Sequence, residues 1–174
     1  MEVLAQLVNM KAILFIMITL LLIGLFIWLI WYEEKKLRMH RVSFMEGFDL
    51  TGLPIVTLQN NGKKFNFVLD TGSYNSILNK SALSKITHKE SDMVAHVCGI
   101  DGITREDQTV VHTEFQYKDK TIPARLIVSD LSKVFAEIKQ ETGVQLHGLL
   151  GSDFFHENKY IIDYKEMVAY SKKI

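Results

Sequence analysis

The chain has 174 residues, with Lys+Arg and Asp+Glu each numbering 20, so its formal net charge is zero. That balance argues against a nucleic-acid-binding protein, which carries a basic excess or stripe; 48% hydrophobic against 23% charged residues argues against a disordered polar chain. The single cysteine, Cys98, excludes an intrachain disulfide framework.

Residues 1–11 read as a short N-terminal tail. Residues 12–32 follow, 21 residues without a charge in which only Thr19 and Gly24 fall outside the hydrophobic set. At 1.5 Å per residue they make a helix of about 31 Å, matching the hydrocarbon thickness of a bilayer. A signal peptide would have a shorter apolar run and a small-residue cleavage site. Here the run ends in Trp28-Leu29-Ile30-Trp31-Tyr32, an aromatic belt, and then Glu33-Glu34-Lys35-Lys36. A core helix would be polar on one face, and this one is apolar all round. The expectation is one uncleaved transmembrane helix, so a lipid bilayer is a partner. Lys11 precedes it, whereas Lys35, Lys36, Arg38 and Arg41 follow, so the positive-inside rule favours a cytoplasmic C-terminal domain.

Residues 33–52 read as a charged juxtamembrane linker, and residues 53–174 as one mostly β domain with a few short helices. Short β-type runs alternate with turn signals there. Asn60-Asn61-Gly62 separates Pro54–Gln59 from Lys64–Leu69, and Asn-Gly favours a tight hairpin. Gly99-Ile100-Asp101-Gly102 separates a second pair, Val94–Cys98 and Ile103–His112. Lys118-Asp119-Lys120 and Lys165-Glu166 mark two more hairpins. Between them, Leu131, Val134, Phe135 and Ile138 recur at helical spacing, with Asp130 as N-cap and Gly143 as stop. Shorter helical turns are expected after Asn79 and Ser152.

The sharpest chemical feature is Phe67-Val68-Leu69-Asp70-Thr71-Gly72-Ser73, an apolar strand that delivers an aspartate into a small, glycine-containing turn. Flanking hydroxyls can orient a carboxylate, yet Asp-Thr-Gly alone also fits an ordinary strand-to-turn corner. Other chemistries have weaker footing. The six histidines include no pair at i, i+4, and one cysteine makes no zinc knuckle, so no metal site is expected. Gly151-Ser152-Asp153 is not a G-x-S-x-G elbow, and Asn79-Lys80-Ser81 fits a glycosylation sequon.

Asp70-Thr71-Gly72-Ser73, the glycine hairpin Gly99 to Gly102 and then Leu149-Leu150-Gly151, in this order, resemble a retropepsin-like (retroviral-type) aspartic protease over about residues 53–170. The resemblance implies a mostly β, retropepsin-like acid-protease half-barrel with a few short helices, preceded here by the transmembrane helix. It implies Asp70 as catalytic residue and Thr71, Gly72 and Ser73 as loop support, with Ser73 hydrogen-bonded to the carboxylate. Gly99, Ile100, Asp101 and Gly102 would form the flap over a polypeptide substrate, and Leu149, Leu150 and Gly151 the apolar loop beside the site. No cofactor, metal or nucleic acid is implied. The family's chemistry needs two carboxylates sharing a proton. This chain has one Asp-Thr-Gly and no Asp-Ser-Gly, so a homodimer is implied. The alternative is a catalytically silent retropepsin-fold module that dimerises or binds a peptide at the membrane.

Overall fold

The computed structural model describes residues 2–38, 41–98 and 104–171. The chain divides into two compact units, residues 1–39 and 40–174. The first is one helix, α1 (Glu2–Arg38), which contains a stretch, Met10–Glu33, long and apolar enough to cross a membrane. The helix begins ahead of the expected span because nothing breaks it: no proline occurs in it, and Gly24 is its one glycine. Residues 10–33 are exposed on every face. The hydroxyl of Thr19 donates to the Phe15 carbonyl at 2.7 Å, so the helix satisfies its own polar side chain.

The second unit starts earlier than the sequence suggests. Residues 41–52, expected as linker, form strand β1 (Arg41–Ser43) and helix α2 (Met45–Thr51), and Val42 and Phe44 are core residues. The elements are too short to show a hydrophobic period. What holds β1 is an antiparallel partner late in the chain, β10 (Val168–Ser171), which also pairs with β9 (Tyr160–Asp163). The Phe44 ring lies edge-on to Tyr164, centroids 5.4 Å apart.

The main sheet is mostly as the turn chemistry dictates. Strands β2 (Ile55–Asn60) and β3 (Lys63–Leu69) form a hairpin whose turn residues, Asn61 and Gly62, have φ of 49° and 76°. Those positive values match the twist of the flanking strands. Strands β6 (Thr104–Tyr117) and β7 (Lys120–Ser129) form the next hairpin, and β5 (Lys89–Cys98) pairs with the first half of β6. The tip between β5 and β6, residues 99–103, lies outside the described residues. Two three-residue strands, β4 (Ile77–Asn79) and β8 (Gly148–Leu150), complete the order β2-β3-β8-β4-β7-β6-β5. A further pairing of Gln59 with Gln116 joins β2 to β6, which gives the sheet a barrel-like closure.

Phe65, Phe67, Phe115, Leu58, Leu78, Leu126 and Leu150 fill the barrel, each at most 2% exposed. Gly148 is required for that packing, because a Cβ there would lie 2.3 Å from the Ile77 carbonyl and 2.6 Å from the Phe67 ring. Helix α3 (Ser132–Thr142) packs Phe135 and Ile138 with Ile55 and Leu146 in a second cluster, and Gly143 ends it at φ 76°. Val134, expected on the buried stripe, is 53% exposed. Asp130, expected as N-cap, stands one residue ahead of it, since the N-cap is Leu131; the Ser132 hydroxyl and then the Ser132 N–H, 2.9 Å from Oδ1, hold the Asp130 carboxyl below the usual range. A 3-10 turn, Lys80–Lys85, follows Asn79, and α4 (Ser152–Glu157) begins at Ser152, at the two places expected. Asn79 is 2% exposed; its Oδ1 accepts from the Leu131 N–H at 3.1 Å and its Nδ2 donates to Ser81 at 3.0 Å, so the sequon's amide is built into the fold.

Candidate active site

Asp70 is the first residue after β3, and its position follows from two strands. The Asp70 N–H donates to the Leu150 carbonyl at 2.9 Å, extending the parallel β3–β8 pairing in which Leu69 faces Leu150. The Leu69 N–H donates to the Pro54 carbonyl at 2.8 Å on the other side. Leu150 is buried and Leu149 half-buried, so the apolar segment Leu149-Leu150 lies against the strand that delivers the aspartate.

The chain then turns at once. The Gly72 N–H donates to Asp70 Oδ1 at 3.0 Å, and among the described residues this is the carboxylate's one hydrogen bond. The Ser73 N–H donates to the Asp70 carbonyl at 3.2 Å. The Ser73 hydroxyl, expected on the carboxylate, donates instead to the Asn75 carbonyl at 2.7 Å. A hydroxyl has one proton to give, and the tight loop presents a nearer main-chain acceptor. Asp70 is half-buried, Thr71 and Gly72 are exposed, and the Tyr74 side chain is among the most exposed in the unit at 80%. The carboxylate therefore stands at a solvent-facing rim of the barrel, fixed by main-chain donors and acceptors around it.

The far leg of the loop is held by α4. The first four N–H groups of a helix have no partner within it, and here all four are used. Gly151 N–H donates to Ser76 Oγ at 2.9 Å, Ser152 N–H to the Ser73 carbonyl at 2.8 Å, and Asp153 N–H to the Tyr74 carbonyl at 3.1 Å. The fourth, Phe154 N–H, donates to Asp153 Oδ1 at 2.7 Å. The Ser152 hydroxyl adds a bond to the Thr71 carbonyl at 2.9 Å. An approach this close needs glycine at 151: a Cβ there would sit 2.6 Å from the Asn75 carbonyl carbon and oxygen.

Of the residues singled out in the sequence, Asp70, Thr71, Gly72, Ser73, Leu149, Leu150 and Gly151 come together at this corner. Gly99, Ile100, Asp101 and Gly102 lie outside the described residues. Ser76, Ser152 and Asp153 were not assigned a role in the site, although they carry most of the loop's hydrogen bonds. The signal that could have found them is the Asp at the second position of a helix whose N-cap is Gly151, a site where Ser, Thr or Asp is usual.

On the strand that leads to Asp70, Asn66 of β3 donates its N–H to His147 Nδ1 at 3.0 Å, and its carbonyl accepts the His147 N–H at 2.9 Å. Burial, and then the charge of Lys85, hold the imidazole below its ordinary pKa. Its neutral form is the one that can accept at Nδ1.

The sequence profile of the family described as "Aspartyl protease" matches residues 56–154. Among solved structures, the chain is similar to EIAV protease complexed with the inhibitor HBY-793, with 16% identity and a TM-score of 0.45 over 70% of this chain and 92% of that one. None of the curated proteins matches.

Proposed function

Because the chain belongs to the aspartyl protease family, we propose that it is an aspartic endopeptidase whose active site forms between two copies, with Asp70 of each facing across a two-fold axis. In such a pair one ionised carboxylate takes a proton from water while its protonated neighbour polarises the scissile carbonyl. Two like charges about 3 Å apart resist double ionisation, so the pair holds one proton. One chain supplies one Asp-Thr-Gly, and therefore half of the machinery.

Support comes above all from the Asp70 corner: a carboxylate at an exposed rim, oriented by the Gly72 N–H and braced by segments remote in sequence. On this reading Thr71 braces the partner loop and Gly72 permits close approach. Leu149, Leu150 and Gly151 back the site, and Gly99, Ile100, Asp101 and Gly102 cover an extended peptide bound by strand-like main-chain hydrogen bonds. Residues 12–32 anchor the protein in a bilayer, with the protease domain on the cytoplasmic face, and confinement to a plane raises the effective concentration of the two halves.

The test is cleavage of a casein mixture by the full chain in detergent, with and without pepstatin, against Asp70→Asn. Expected are pepstatin-sensitive cleavage, specific activity that rises with protein concentration, and loss of at least about a thousandfold in the variant with its melting temperature retained. A folded wild-type chain that cuts nothing would instead be the silent module.

A further inference from the structure

We infer that Asp153 is a positioning residue for Asp70, acting through Ser76; the inference rests on the protease reading above. Its side chain is 11% exposed, an expensive place for a carboxylate unless it is well bonded. Besides the Phe154 N–H of its own helix, which Oδ1 accepts at 2.7 Å, its hydrogen bonds point in one direction. Oδ1 accepts the Ser76 hydroxyl at 2.6 Å and Oδ2 the Ser76 N–H at 3.0 Å, so both oxygens hold one residue of the catalytic loop's far leg. Arg125 Nη1, on β7, stands 4.0 Å from Oδ2.

The consequence is a relay. With its proton committed to Asp153, the Ser76 hydroxyl turns a lone pair toward the Gly151 N–H, 2.9 Å away. Gly151 follows Leu150, whose carbonyl takes the Asp70 N–H. Asp70 to Ser76 is a loop between two strands, β3 and β4, and Asp153 fixes its exit while Leu150 fixes its entry. A capping side chain at the helix start could not do this, because position 151 has no room for one. Asp153 does not touch the reacting atoms. It sets where Asp70 stands, and a misplacement of about 1 Å can cost on the order of a hundredfold in rate.

Asp153→Asn tests this with little change of shape. Its amide would either leave the Ser76 N–H facing an NH2 group or give up the bond to the hydroxyl. The full chain in detergent is assayed well below the melting temperature of each variant. We expect kcat to fall about 10- to 100-fold with KM within about threefold. Ser76→Ala should give a similar loss, Ser76→Thr should recover most of it, and the double variant should be no worse than the poorer single one, as for groups that act as a unit. Should Asp153→Asn not fold, Ser76→Ala and Ser76→Thr carry the same comparison. An unchanged kcat in a variant that folds, or losses that add in the double variant, would overturn the assignment while leaving the protease reading intact. A wild-type chain that cuts nothing would overturn both.

Discussion

The two ends of β3 each carry a glycine in a tight turn, and the turns are built by different means. At the start, Asn61-Gly62 is a local device: both residues have positive φ, and nothing lies within 4 Å of a Cβ added at Gly62. Its partners are the strands on either side. At the far end, Thr71-Gly72 has no positive φ, and a Cβ at Gly72 would sit 3.2 Å from Asp70 Oδ1. That loop is held from residues 150–154, remote in sequence, through Leu150, Gly151, Ser152 and Asp153. One turn needs only its own residues, whereas the other exists only once the sheet is assembled. Catalytic geometry of the proposed kind requires the second sort, because a local turn has few contacts with which to aim a carboxylate.

Substitutions can separate the two. Gly151→Ala should have the largest effect, since its methyl group meets main-chain atoms of Asn75 that cannot rotate away. We expect about 2–3 kcal/mol of destabilisation in urea unfolding and near-complete loss of cleavage. Gly62→Ala should cost about 1 kcal/mol through its backbone angle alone, with kcat/KM of the folded fraction unchanged. A large activity loss there would show that the near end of β3 also aims Asp70.

Ser73→Ala should be smaller again. It removes one hydrogen bond, to the Asn75 carbonyl, worth about 1 kcal/mol, and should leave the alkaline limb of the pH–rate profile in place. An upward shift of that limb would mean that the hydroxyl turns to the carboxylate when two loops meet. The remaining effects are pH-dependent. The fold resists protonating His147, so below about 6.5 the unfolded chain takes up a proton that the folded chain does not. Stability should therefore fall toward acid, by less in His147→Gln. Tyr160 acts at the other extreme. Burial, with Tyr117 adding to it, pushes its phenol up to about 12, so its contribution is complete below 10 and is lost as pH rises toward 12. Urea midpoints across pH, with Tyr160→Phe as control, measure both.

The same contrast explains what was legible in the sequence. The Asn61-Gly62 turn, the Gly143 stop and the Asp70 corner all have signatures within a few residues, and each lies where the pattern placed it. Val134 misled because helical spacing does not say how wide the buried stripe is, and α3 buries Phe135 alone fully. The wedging of β8 between β3 and β4 left Leu149-Leu150-Gly151 as its one trace and no sign of β4 as a partner, since two three-residue strands are too short for a period. Ser76 was silent for the same reason, since its bond to Asp153 spans 77 positions, and Asp153 showed only as an acid in the first turn of a short helix.

The pairing of β1 with β10 also sets a timetable. Ser43 meets Val168, translated about 125 residues later, so this sheet is a late event in synthesis with a long loop to close. Until then Val42 and Phe44, which belong to the finished core, have no strand to lie beside. A ribosome stalled before residue 168 would hold a chain whose barrel strands are all made but whose first folded strand is open. Such nascent chains should be the form most readily captured by chaperones or nicked near Arg41, and extension through β10 to residue 171 should abolish that sensitivity, whereas release of the shortened chain should not.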